Sequence, residues 1–343
     1  MLNQNLKLNT KIFNPDPEGK NTSYGASVEK ITTRQGFGEG LLVAGMENEN
    51  IVALSADLTE STKTNLFADK FPERFIQVGV AEQNMASVAS GIASMGKIPF
   101  ITSYGIFSPG RNWEQIRTTI CYNNQPVKII GSHAGLSVGP DGGSHQMLED
   151  IALTRVLPNM VVISPCDAIE AKKAVIACSK TKDPTYIRLA RNNTPIITTV
   201  ETPFEIGKAQ IVFVPEVGLA HVGIIATGPI LYKAILVARE LEKKGIKVKV
   251  MNLSTIKPLD KEAVVALAKE TKAIVTCEDH QVAGGMGSAI AEVLAEIYPI
   301  PIEFVGVNNK FGQSGTPEEL EKHYGVDIPH IIEKVEKVLK RKI

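Results

Sequence analysis

Long apolar runs are missing from this sequence, and so is net charge. No stretch approaches the roughly eighteen consecutive apolar residues of a membrane-crossing helix. The start, Met1 to Asn9, is polar rather than basic followed by apolar, so no secretory signal is expected there. The 37 Lys and Arg residues are balanced by 37 Asp and Glu residues, with no long basic run. That balance argues against nucleic acid or an anionic membrane as the main partner, while leaving room for a small charged site. Cys121, Cys166, Cys178 and Cys277 show neither C-x-x-C spacing nor a nearby His pair, which leaves zinc and redox motifs unsupported and reduced, packed thiols as the default. Internal repeats and low-complexity tracts are not evident. The expectation is a cytoplasmic protein.

What is present is an alternation. After residues 1–28, rich in Asn, Lys, Pro and Gly and expected as a leader packed loosely or against a partner, apolar runs at Ile51–Leu54, Phe75–Val78, Ile98–Thr102, Val127–Ile130, Val161–Ser164 and Thr185–Leu189 read as strands. Helix-like stretches fall between them, around Gly36–Met46, Glu82–Met95, Arg111–Tyr122 and Ala168–Ser179. A polar, Pro-containing segment at 192–208 reads as a linker. The pattern then resumes with strands at Val222–Ala226, Lys247–Asn252, Ala273–Cys277 and Ile302–Val305, and helices near Leu231–Lys243, Lys261–Glu270 and Gly287–Glu296. Strand and helix in turn predict an α/β protein of two domains, 29–191 and 209–343, each a mostly parallel sheet covered on both faces.

Glu82 stands out within this pattern. It opens Gln83-Asn84-Met85-Ala86-Ser87-Val88-Ala89-Ser90-Gly91-Ile92-Ala93, an otherwise carboxylate-free helix of small and apolar residues. An isolated carboxylate there is exposed, paired or held for chemistry, because desolvation penalises its charged form; a helix N-terminal Glu favoured by the macrodipole is the plainer alternative. Gly139-Pro140-Asp141-Gly142-Gly143-Ser144-His145-Gln146 reads as a loop beyond a strand's carboxyl end, where open α/β sheets bind ligands. Gly284-Gly285-Met286-Gly287 lacks the Lys of a P-loop and the full dinucleotide spacing, so close helix packing is the favoured reading; His280 is a base or an interface residue.

Four segments in order, Leu54-Ser55-Ala56-Asp57-Leu58, Val78-Gly79-Val80-Ala81-Glu82, Gly139 to Gln146 and Ile187-Arg188-Leu189-Ala190-Arg191, resemble the pyrimidine-binding and C-terminal domains of transketolase over roughly residues 30 to 343. The resemblance is nearest to the C-terminal subunit of a split transketolase. It implies that Glu82 bonds a ring nitrogen of thiamine diphosphate's aminopyrimidine, promoting the tautomer that activates the cofactor. It also implies that Asp57 lies near the cofactor, and that Tyr104 and Phe107 fall where the family stacks aromatics on the ring, with Phe107 ahead of Tyr104. Asp141 and His145 are then expected to meet the donor sugar's hydroxyls, and Arg34, Ser61, His133 and Arg191 its phosphate, which suits arginine's planar fork.

The family's Gly-Asp-Gly motif for diphosphate and Mg²⁺ is absent, as are the substrate-binding histidines of the N-terminal half. The expected partner is therefore an N-terminal transketolase-type subunit that supplies them and the Mg²⁺ ligands, in a two-plus-two heterotetramer acting on sugar phosphates. Two other readings stay open. One is a half-enzyme like deoxyxylulose-phosphate synthase, although Asn84 stands where that family has His, or like the beta subunit of a 2-oxoacid dehydrogenase. The other is a non-catalytic binding or regulatory subunit.

Overall fold

The computed structural model describes residues 1–14 and 28–342. In chain order the strands are β1 (Lys30–Thr32), β2 (Ile51–Ser55), β3 (Phe75–Gln77), β4 (Ile98–Tyr104), β5 (Lys128–Ser132), β6 (Val161–Ile163), β7 (Thr185–Arg188) and β8 (Asn193–Pro195). The second half adds β9 (Gln210–Phe213), β10 (Val222–Ala226), β11 (Val248–Asn252), β12 (Thr255–Lys257), β13 (Ile274–Gln281) and β14 (Ile302–Val307). They form a seven-stranded sheet in the order β12-β6-β7-β5-β4-β2-β3 and a five-stranded sheet in the order β14-β13-β10-β11-β9; β1 and β8 pair separately. Within each large sheet the pairs are parallel except at one edge, β12 with β6 and β9 with β11. The central strands β2 and β5 are buried throughout, as parallel strands covered on both faces must be. An α/β chain of two units is what the alternation of strand and helix requires.

Three features departed from simple periodicity. Segment 1–14, expected within a loosely packed leader, lies against the second unit: Asn3 N donates to Val212 O at 3.0 Å, and Leu8 and Ile12 are buried in its core. The rest of that leader, 15–27, lies outside the described residues. The 192–208 segment is held rather than slack. β8 pairs with β1, and the Asp167 carboxylate accepts from Ile197 N at 2.8 Å and from Thr198 N at 2.6 Å. The helix expected over Arg111–Tyr122 is a short α turn, Trp113–Gln115, continued by a π-helical stretch, Ile116–Cys121.

The helix Thr33–Glu47 starts at Thr32, whose side-chain oxygen accepts from Gln35 N, and crosses the helix Ala168–Cys178, capped in the same way by Asp167. A Cβ on Gly36 would stand 1.9 Å from the backbone oxygen of Ala168, so only glycine lets the helices approach this closely. Gly36→Ala is expected to cost about 1–3 kcal/mol through overpacking. Urea unfolding checks this; an unchanged midpoint would show that the two helices yield freely.

The seven-stranded sheet places the site. From β2 the chain moves outward to β3, then crosses back to β4 on the other side, so strand order reverses between β2 and β4. At such a switch point the carboxyl ends of neighbouring strands diverge and leave a crevice. Asp57 follows β2, Glu82 follows β3, Tyr104 ends β4, His133 follows β5 and Arg191 follows β7.

Candidate functional site

Two groups of side chains, joined by a pair of aromatic rings, line these strand ends. Glu82 forms the first group at the N-terminus of the helix Glu82–Ser94 and is 1 % exposed. A buried carboxylate is costly unless paired, and here Arg111 Nη1 donates to Glu82 Oε2 at 2.7 Å. Asn112 Nδ2 donates to the Glu82 backbone oxygen at 3.1 Å and to Ser108 Oγ at 3.2 Å, tying the Ser108–Asn112 turn to the helix start. The Arg111 guanidinium lies over the Phe107 ring, 4.7 Å from its centroid, and His145 meets the same ring edge-on at 5.7 Å. His145 also shares a 3.0 Å hydrogen bond through Nδ1 with Ser144 Oγ.

The second group is cationic. Arg34 Nη1 donates to the backbone oxygen of Ser61 at 2.7 Å and lies 3.4 Å from His133 Nε2, while Ser132 Oγ bonds His133 Nδ1 at 2.9 Å. Arg191 pairs with Asp141 at 3.4 Å and donates to Val138 O. Burial pushes the His133 imidazole down to about 3, and the charges of Arg34 and Arg191 push the same way, so the ring is neutral at ordinary pH. The Arg34 guanidinium is likewise lowered, chiefly by burial. Its Nε is buried with no hydrogen-bond partner, a donor left over for an incoming acceptor.

Tyr104 joins the two groups. Its ring stacks on His133 at 3.9 Å and lies nearly parallel to Phe107 at 6.2 Å. One face of Tyr104 is thus engaged inside the protein. Phe107 likewise has the Arg111 guanidinium over its ring and His145 at 5.7 Å in an edge-on contact.

The loop that carries Asp141 and His145 rests on the second unit. Gln146 Nε2 donates to Gly139 O and to Gln313 O, both at 3.0 Å. Gly142 has φ +78°, and a Cβ there would stand 2.7 Å from Ser314 Oγ, so both its backbone conformation and the close approach require glycine.

Not every expected residue joins by contact. Asp57 is exposed with φ +60°; its backbone N–H donates to Gln77 Oε1 at 2.8 Å, and among the described residues its carboxylate makes no hydrogen bond or ion pair to the others. Ser61 takes part through its carbonyl. Arg188, in the same motif as Arg191, is buried, donating to Asp150 Oδ2 at 2.9 Å and to Asp279 O at 2.6 Å, which ties β7 to the second unit. His280 is fully buried, pushed down to about 4 mainly by that burial, with Nδ1 2.7 Å from Gln281 O. The glycine-rich helix start at Gly285 has its amides occupied, since Met286 N and Gly287 N donate to the Glu278 carboxylate at 2.7 and 2.8 Å. Close packing around a buried acid thus accounts for those glycines.

Arg111 and Asn112 were not singled out in the sequence. The only local signal is Gly110 before them, because the bond to Glu82 spans 29 positions.

Among the described residues no group of three or more His, Cys, Asp or Glu could hold a metal ion, and no helix is long and apolar enough to cross a membrane. The four cysteines are buried and free.

Two family models match the chain: transketolase, pyrimidine binding domain, over residues 29–196, and transketolase, C-terminal domain, over residues 216–331. A putative transketolase C-terminal section from Methanocaldococcus jannaschii is 43 % identical over 311 residues, covering 90 % of this chain and 96 % of that one. A 6-deoxy-6-sulfo-D-fructose transketolase subunit from a Clostridium species is 37 % identical over 94 % of this chain and 99 % of its own. Among solved structures, a split-gene transketolase described as an inactive beta4 tetramer superposes with a TM-score of 0.84 at 43 % identity, covering 91 % of this chain and all of that one.

Proposed function

This chain belongs to the transketolase family, and on that premise we propose that it is the C-terminal subunit of a split, thiamine-diphosphate-dependent transketolase. It moves a two-carbon ketol unit from a ketose phosphate to an aldose phosphate. The observation that carries this reading is the buried Glu82 carboxylate paired with Arg111, whose guanidinium lies over the Phe107 ring. Among the described residues nothing donates to Glu82 Oε1, which leaves that oxygen for the ring nitrogen of an aminopyrimidine lying on Phe107. The residues present therefore fit the pyrimidine half of thiamine diphosphate, which when bound supplies the carbanion chemistry.

In this reading each group of the chain has one task. Glu82 Oε1 shares a proton with the ring nitrogen, Phe107 sets the plane of the ring, and His145 and Asp141 bond the hydroxyls of the donor sugar. Arg34 and Arg191, with neutral His133 between them, hold the phosphate at the far end of the sugar. Asp57, which follows β2, is assigned to the surroundings of the cofactor.

The Gly-Asp-Gly motif by which the family holds diphosphate and Mg²⁺ is absent from this sequence. The ligands for both are assigned to an N-terminal transketolase-type subunit. Apolar exposure around the Glu82 helix is consistent with such a partner: Val80 is 69 % and Met95 83 % exposed at its two ends, and Tyr122 lies open on the turn packed against it. A two-plus-two assembly in the cytoplasm completes the reading. The related beta4 tetramer is described as inactive, as expected of such chains without their complement. Because the Clostridium relative is named for a sulfo-sugar, the sugar used here is to be found by assaying a panel of ketose donors and aldose phosphate acceptors with the assembled enzyme.

The phosphate assignment has its own test. Arg34→Ala or Arg191→Ala removes a charge-assisted contact of about 1.5–3 kcal/mol, so kcat/KM for phosphorylated substrates should fall roughly ten- to a hundred-fold. Unphosphorylated analogues should change little. Equal losses for both kinds of substrate would make these arginines structural.

A further inference from the structure

Arg111 is a cation whose partner is the one carboxylate that the proposed chemistry needs, and nothing in the family assignment gives it a task. Three observations define its position. Its Nη1 takes Glu82 Oε2 at 2.7 Å and leaves Oε1 without a donor among the described residues. Its guanidinium is seated over Phe107, the ring on which the aminopyrimidine is placed, so carboxylate, cation and platform form one unit. Its backbone is fixed: a Cβ on Gly110 would stand 2.0 Å from Ile106 O, Arg111 N donates to Phe107 O at 3.2 Å, and Asn112 is clamped to the backbone of Glu82 itself. Yet the Arg111 side chain is 45 % exposed, whereas that of Glu82 is sealed. The turn thus delivers a cation from the solvent side to one oxygen of a buried carboxylate.

We propose that Arg111 is a positioning residue for cofactor activation: by holding Oε2 it fixes the orientation of the Glu82 carboxyl group and turns Oε1 toward the aminopyrimidine. The inference rests on the functional reading above. Without the guanidinium the buried carboxyl group loses its partner and is free to turn, so Oε1 is no longer held at the ring nitrogen. A planar fork stacked on an aromatic ring restrains the carboxylate more tightly than an ammonium can.

The test uses the full chain assembled with its diphosphate-binding partner, with thiamine diphosphate and Mg²⁺ as the probe in titration calorimetry. For Arg111→Met the Kd for thiamine diphosphate should weaken on the order of ten- to a hundred-fold, the scale of a lost charge-assisted bond. Turnover should fall with it. Because the side chain is open to solvent, free guanidinium below unfolding concentrations should restore much of the binding, and Arg111→Lys should fall between Met and Arg. A merely structural arginine predicts a lowered melting temperature with no rescue by guanidinium, which would overturn the inference. An unchanged Kd would overturn it too, and so would tighter binding, which would mean that Arg111 sits in the ring's own place. If the wild-type complex bound no cofactor, the functional reading would fail and this inference with it; wild-type binding with an indifferent Met variant would remove the inference alone.

Discussion

Glu82→Gln is expected to lower turnover of the assembled enzyme by about 10²–10⁴, the usual scale of acid–base assistance. The substitution preserves size and hydrogen-bonding reach, so the helix Glu82–Ser94 and the clamp from Asn112 to the Glu82 backbone oxygen should stay in place. What changes is charge. A neutral amide can neither pass a proton to the ring nitrogen nor balance the charge of a protonated ring, and it leaves Arg111 opposite a group with no charge to answer it. Steady-state turnover beside circular dichroism of the folded variant separates loss of chemistry from loss of fold. A Glu82→Gln enzyme with near wild-type turnover on added thiamine diphosphate would remove the basis for the whole assignment.

The second large effect concerns completeness of the site. In the proposed reading Glu82, Phe107, His145 and the Arg34–His133–Arg191 cluster hold one end of the cofactor and the sugar, while among the described residues no group of three or more His, Cys, Asp or Glu could hold a metal ion. A ligand gripped at only one end loses most of its binding energy and the orientation that chemistry needs. The purified chain should therefore bind thiamine diphosphate poorly and show no ketol transfer. Supplying a subunit with the diphosphate and Mg²⁺ ligands should restore both together, and the regain should be all-or-none if, as proposed, the cofactor bridges the two polypeptides.

Local signals carried much of this into the sequence. A lone carboxylate in an apolar helix marked Glu82, alternating strand and helix gave the two sheets, and a glycine-rich loop beyond a strand marked Asp141 and His145. Contacts between distant positions were not legible. Arg111 reaches Glu82 across 29 residues, β12 leaves the second unit to pair with β6, and Leu8 and Ile12 join a core made mostly of residues beyond 190. Hydrophobic periodicity reports which face of an element is buried and is silent about what covers it. The same limit applies to Arg188 and Arg191. Three positions apart in one motif, one is buried against Asp150 and the other opens into the site, and only the fold separates them. The stacking of the Tyr104 ring on His133 was equally illegible, because it joins residues 29 positions apart.

The most direct measurement is ketol transfer from a ketose phosphate to an aldose phosphate, followed for this chain alone, for the diphosphate-binding subunit alone and for the two mixed, each with thiamine diphosphate and Mg²⁺. The predicted result is no transfer by either chain alone and robust transfer by the mixture, abolished when Glu82→Ala replaces the wild-type chain. Transfer by this chain alone that survives purification and disappears in Glu82→Ala would contradict the divided site, and a mixture that stays inactive across the substrate panel would contradict the assignment itself.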